Sequence, residues 1–163
     1  MAIVLRINQP INNFEPLSGK TTNFPDQGVT ITIPDDLGNV DIRILEARWE
    51  NGMGAQHENF EPRRILSNFE FLAGEEKLTK FSTAVELILY YTQADLNFAQ
   101  RDDKLVDFAY WDGNQWIRFS KFQYFSRNSI TPLPIWTKYD FVYVGFCAVR
   151  IREWPDPPIA VGK

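Results

Sequence analysis

The sequence has little cysteine, little histidine and no long apolar run. Its 163 residues include one Cys and one His, which excludes an internal disulfide and a zinc site built from several cysteines. The longest uncharged apolar run, residues 141–149, is about half as long as a membrane-spanning helix must be. Basic residues are also scarce, since 17 Lys and Arg stand against 21 Asp and Glu for a net charge of -4. We therefore expect no nucleic acid partner, no membrane partner and no bound metal.

Aromatic residues are plentiful, with 13 Phe, 6 Tyr and 5 Trp, in a chain that is 44% hydrophobic and 23% charged. This composition and length are typical of one folded domain, residues 1–163. The start of the chain lacks the basic and apolar regions of a secretory signal, so we expect a soluble, cytoplasmic protein. An extracellular location stays open, because a cloned mature domain with a start Met would look the same.

Alternating apolar and polar residues predict mostly β-structure. Candidate strands fall at residues 2–8, 28–34, 40–49, 65–72, 84–92, 104–111, 115–119 and 139–151. Helical spacing also fits residues 78–91, but their β-branched and aromatic content favours a strand. Thr92-Gln-Ala-Asp95 resembles a capping box and predicts one short helix at 93–99. The pattern predicts an all-β, two-sheet antiparallel β-sandwich, in which Gly145 marks a bulge or a close backbone approach.

Three segments fall outside this pattern. Pro10 and Pro16 interrupt the alternation after the first strand, so residues 9–27 predict an irregular N-terminal arm. Residues 50–64 show no periodicity and predict a long loop of the length that is often functional. The C-terminal residues 153–163 are rich in proline and predict an extended tail.

The segments at 28–34 (GVTITIP), 81–96 (FSTAVELILYYTQADL) and 105–117 (LVDFAYWDGNQWI) together resemble the Ig-like β-sandwich modules of bacterial multidomain proteins, which are similar to ZU5 domains. The Tyr-Trp-Asp-Gly-x-x-Trp hairpin at 110–116 is the most specific element. The resemblance implies a non-catalytic folding or docking unit. Some ZU5 relatives cut their own chain at a His-Phe-Ser step, but the corresponding residues here are Tyr139, Asp140 and Phe141. We expect no such cleavage.

Candidate partner-binding residues lie in the loop and in the tail. They are His57, Phe60, Trp154, Pro157 and Pro158. Extended tails with aromatic anchors dock into grooves or add to the sheet edge of a neighbour. The alternative, that both arms pack on their own domain, stays open. His57 near several glutamates is most simply a solvated side chain, because no second metal-ligand type accompanies it.

An alternative set of site residues lies at the hairpin. Tyr110, Trp111 and Trp116 could stack on sugar rings as a carbohydrate-binding platform, or pack the end of the sandwich. The paired arginines Arg63 and Arg64 are expected to bind local acids rather than phosphate.

The expected function is therefore a non-catalytic protein–protein interaction or structural module without a cofactor. It would be a subunit of a homo-oligomeric or filamentous assembly, or an adaptor docked to a larger partner. A carbohydrate-binding module is the alternative, and no enzymatic activity is expected.

Overall fold

The computed structural model describes residues 17–49, 52–54, 60–66, 68–119, 127–129, 143–155 and 157–163. The described strands are β1 (Lys20–Phe24), β2 (Val29–Ile33), β3 (Asp41–Leu45), β4 (Pro62–Ile65), β5 (Asn68–Ala73), β6 (Glu76–Leu78), β7 (Lys80–Thr92), β8 (Asp107–Trp111), β9 (Trp116–Arg118), β10 (Arg127–Ser129), β11 (Tyr143–Glu153) and β12 (Ile159–Gly162). One α-helix, α1 (Gln93–Phe98), and one 3-10 turn at Asp35–Leu37 join them in the described part of the chain. The all-β prediction is confirmed. The predicted strand at 2–8 lies outside the described residues.

The strands form three antiparallel sheets arranged as a sandwich. The largest has the order β1-β2-β7-β11-β10, a second has β4-β12-β8-β9, and a third has β3-β5-β6. The main hydrophobic core draws side chains from all three sheets. From the largest sheet come alternate residues such as Ile31, Leu87 and Val149, and from the smaller sheets come residues such as Phe71 and Phe108. The core therefore lies between the five-stranded sheet and the two smaller ones.

Several local predictions are confirmed. Residues 78–91, whose spacing also fits a helix, fall mostly within one long strand, β7. The Thr92 side chain accepts from the Asp95 N–H, and the Asp95 carboxylate accepts from the Thr92 N–H, so the capping box is complete. Strands β8 and β9 form the predicted hairpin. At Gly145 the register shifts, and a Cβ added there would lie 2.0 Å from the Tyr91 hydroxyl, so bulge and close approach coincide.

Other features differ from the sequence expectation. The described residues form three sheets rather than two. Residues 20–24, placed in the irregular arm, form the strand β1 paired with β2. Residues 159–162, placed in the extended tail, form β12 between β4 and β8. The alternation of apolar residues with threonines in residues 28–34 predicts a half-buried strand, but β2 is buried on both faces, because Thr30 and Thr32 are covered as well as the apolar residues.

Candidate functional site

Strand β1 ends the largest sheet within the described part of the chain, and the direction of its backbone groups follows from the pairing. The Tyr90 N–H donates to the Gly28 carbonyl, so the even-numbered residues of β2 direct their backbone groups toward β7. The odd-numbered residues of β2 then bond to the even-numbered residues of β1. The N–H and C=O groups of Thr21 and Asn23 therefore face away from the sheet.

The side chains of β1 hold the strand against its neighbours. The Thr21 and Thr32 hydroxyls lie 2.9 Å apart, and the Thr30 hydroxyl donates to Asn23 Oδ1 at 2.8 Å. Phe24 packs on the core, with its ring centroid 6.1 Å from that of Phe69. These contacts fix β1 in an extended conformation while Thr21 and Asn23 stay exposed.

The turn after β1 is fixed by Tyr143. Its hydroxyl donates to the Pro25 carbonyl at 2.5 Å, and burial raises the pKa of Tyr143 to about 12. Gly28 closes the turn with a φ of +68°, in the left-handed region that glycine adopts without strain. The neutral phenol therefore remains a hydrogen-bond donor at neutral pH.

A cleft of about 170 Å³ opens beside this turn. It is lined by Asp26, Gln27, Glu46, Ala47, Arg64, Ile65 and Leu66. These residues come from the β1–β2 turn, the segment after β3, and β4 with the residue that follows it. The three sheets thus meet at one polar cleft next to β1.

One carboxylate, Asp95 on α1, binds two arginines, of which Arg64 also lines this cleft. Arg63 Nη1 lies 2.6 Å from Oδ1, and Arg64 donates from Nε at 2.9 Å to Oδ1 and from Nη2 at 2.6 Å to Oδ2. Neighbouring strand residues normally point to opposite faces. Arg63 and Arg64 nevertheless both reach Asp95, and β4 ends its sheet in the described part of the chain.

The charge of Asp95 is stabilised by this arrangement. Burial alone would raise the pKa of its carboxyl, but the bonds and charge of Arg64, the Thr92 N–H and the charge of Arg63 outweigh it. The pKa therefore lies below the ordinary value. The prediction that Arg63 and Arg64 bind a local acid is confirmed.

Two other buried carboxylates also join strands. Glu86 on β7 accepts from Arg150 Nε at 3.0 Å and from the Leu17 N–H at 3.2 and 3.3 Å. Asp107 on β8 accepts from Arg118 Nη1 at 2.8 Å, across the hairpin. The Leu17 contact fixes the chain on β7 shortly before β1 begins.

The aromatic residues of the hairpin are inside the protein. Tyr110, Trp111 and Trp116 are all buried, and Trp116 Nε1 donates to the Met53 carbonyl at 2.5 Å. Trp49 packs edge-on against Trp116 and is 46% exposed. Trp49 therefore has substantial contact with solvent, whereas Tyr110, Trp111 and Trp116 do not.

The candidate partner-binding residues do not form one exposed site. Phe60 is buried against Trp116, and Trp154 is buried with its Nε1 donating to the Phe69 carbonyl at 2.9 Å. Pro157 is buried and Pro158 is half-buried. The described part of the tail thus packs on its own domain. His57 lies outside the described residues.

Comparison of the chain with family models, curated proteins and solved structures gives no match. Over the described residues, no three His, Cys, Asp or Glu side chains are grouped so that they could hold a metal ion. No helix in the same part of the chain has the length and apolar character needed to cross a membrane. Our functional inference therefore rests on the geometry of this molecule.

The sequence alone did not identify β1 or the exposed Trp49. Strand β1 has the sequence Lys-Thr-Thr-Asn-Phe, which lacks the alternating apolar residues that predict strands such as β2 and β3. Its two threonines favour extended structure and are the feature of the sequence from which this strand could have been predicted. Nothing in the sequence separates Trp49 from the buried tryptophans.

Proposed function

We propose that this chain is a non-catalytic protein-interaction module that binds its partner by adding a strand to β1. The observation that carries the proposal is the outward direction of the Thr21 and Asn23 backbone groups on an exposed strand that ends its sheet in the described part of the chain. An edge of this kind is a template for pairing with an extended segment of another chain. Backbone hydrogen bonds would supply affinity, and exposed side chains would supply specificity.

The fixed, extended conformation of β1 supports this proposal. The strand is held in place by the Thr21–Thr32 and Thr30–Asn23 contacts. An incoming strand would therefore meet a preformed ladder, and little conformational entropy would be lost on the side of this module. The 170 Å³ cleft beside the turn could accept a side chain of the partner.

The buried carboxylates also favour an interaction module, because they stabilise the fold. Glu86, Asp95 and Asp107 each bind an arginine that joins one element of the fold to another. The resemblance of residues 28–119 to Ig-like and ZU5-like modules agrees with a docking role. The carbohydrate alternative receives less support, because burial of Trp111 and Trp116 leaves no flat exposed face for a sugar ring there.

The test is affinity capture from a lysate of the source cells with three forms of the full chain. Thr21→Pro removes an outward N–H, which proline tolerates on an edge strand. Thr21→Val keeps that N–H and, like the proline variant, removes the hydroxyl. We expect one or more proteins to be enriched by wild type and Thr21→Val and lost with Thr21→Pro. Equal enrichment by all three forms would refute the proposal, and so would a wild type that captures nothing and does not self-associate.

A further inference from the structure

We infer that the partner of β1 is a second copy of this chain, paired antiparallel about a two-fold axis at Thr22. This inference rests on the proposed function, because it uses the same edge. It goes further by naming the partner and the register. Two five-stranded sheets would then join into one continuous sheet.

The register follows from the direction of the backbone groups. Outward groups can bond only to outward groups, so the odd-numbered residues of β1 must face odd-numbered residues of the second copy. The whole strand overlaps when Thr21 faces Asn23 of the second copy and Thr22 faces Thr22. Each Thr21–Asn23 pair exchanges two hydrogen bonds, so the interface would hold about four.

Side chains are complementary in this register. Lys20 faces Phe24 of the second copy, where the ammonium group can lie beside the aromatic ring. The turn after β1 brings Asp26 to the same end of the paired strands as Lys20 of the second copy. Thr21 and Asn23 are both polar and exposed, and they would face each other across the axis. No like charges stand opposite one another.

Another terminal strand lacks this complementarity. Strand β3 ends its own sheet in the described residues and has the sequence Asp-Ile-Arg-Ile-Leu. A symmetric pairing over its full length would place Arg43 opposite Arg43 of the second copy. Directly opposed like charges destabilise a strand pair. Charge thus favours β1 over β3 as the site of self-association.

The symmetry also limits the size of the assembly. A two-fold interface uses the same patch on both copies and is closed once it forms. We therefore expect a dimer from this edge. A filament would need a second, different contact.

The first experiment is sedimentation velocity over a concentration series on the full-length wild type, Thr21→Pro and Thr21→Val. We expect dimer in the wild type and Thr21→Val, and at least tenfold weaker association in Thr21→Pro. Circular dichroism and thermal unfolding check that each variant is folded. A wild type that stays monomeric at all concentrations, or association of Thr21→Pro equal to that of wild type, would overturn the inference.

A second experiment tests the position of the two-fold axis by cysteine cross-linking and needs no proline variant. Facing residues of a non-hydrogen-bonded pair have Cα atoms about 4.5 Å apart, within the range that a disulfide spans. The native Cys147 is buried, so the background is low. We expect Thr22→Cys to form a disulfide-linked dimer on mild oxidation, and Thr21→Cys, which faces Asn23 of the second copy, to do so much less. Equal cross-linking of the two variants would contradict the register.

The two proposals can fail separately. If the wild type is monomeric but lysate proteins are captured in a manner that Thr21→Pro abolishes, the second copy is excluded and the interaction function stands. If the wild type is monomeric and captures nothing, both proposals fail.

Discussion

Replacing Asp95 removes the carboxylate that binds α1 to β4. In Asp95→Ala the bond to the Thr92 N–H is lost, and a cap of this kind contributes about 1 kcal/mol. Arg63 and Arg64 also lose their partner. Breaking a fully buried pair costs about 3–5 kcal/mol, but each arginine side chain is 30% exposed and can regain water. We therefore assign about 1–3 kcal/mol to the arginines and about 2–4 kcal/mol in total.

The assay is urea unfolding followed by tryptophan fluorescence, with the free energy of unfolding obtained by linear extrapolation. Asp95→Asn should lose less stability than Asp95→Ala, because its amide oxygen can still accept a hydrogen bond. Asp41→Asn, at an exposed position on β3, is the matched control and should stay within about 0.5 kcal/mol of wild type.

A double-mutant cycle tests whether the arginine contact is responsible. Arg64→Gln and Asp95→Ala should be coupled by about 1 kcal/mol or more, as expected of residues in one ion-pair network. A loss below about 0.5 kcal/mol in Asp95→Ala, or purely additive effects in the cycle, would refute this account of the cluster.

Three further predictions concern pH, a glycine and the tail. Because the folded-state pKa of Asp95 is lowered from 3.8, the stabilisation by its charge is complete above that value and lost as pH falls through the lower folded-state pKa. Thermal unfolding between about pH 6 and pH 2 should therefore show a smaller acid-induced loss in Asp95→Asn than in wild type. Gly145→Ala should lower the melting temperature strongly, since its Cβ would lie 2.0 Å from the Tyr91 hydroxyl. Tyr91 is buried in the core, so Tyr91→Ala is destabilising as well, but the two losses combined in one chain should be less than additive, and additive losses would contradict the clash. Trp154→Ala should cost about 3–5 kcal/mol in urea unfolding, and Trp154→Phe less, although it leaves the Phe69 carbonyl without its donor. A tail that did not pack on the domain would tolerate both changes.

Features set by neighbours in the sequence could be predicted from the sequence. The capping box at Thr92 and Asp95 needs residues three positions apart, and the hairpin around Gly113 needs one turn and two aromatic strands. The strand at 84–92 was recognised by its alternation and β-branched content. Each of these signals lies within a few residues of the element that it predicts.

Features set by distant residues could not be predicted in the same way. Strand β12 depends on pairing with β4 and β8, and its short sequence follows a proline-rich segment that indicated an extended tail. The candidate site was missed for a similar reason, because polar residues such as Thr21 become edge residues only after β1 has paired with β2. Aromatic residues at Trp111 and Trp116 have the same spacing in a core as on a binding platform, so only burial distinguishes the two.

The position of β12 inside its sheet has a consequence for synthesis of the chain. A protein emerges from the ribosome N-terminus first, so early strands are exposed before the late strands with which they pair have been made. Here β4 and β8 are both made before β12, and in the described part of the chain they are joined only through it. Until residues 159–162 leave the ribosome, both strands present unpaired backbone to other nascent chains. This sheet can close only after residues 159–162 have emerged, and a chaperone that shields these two edges would have its largest effect before they do.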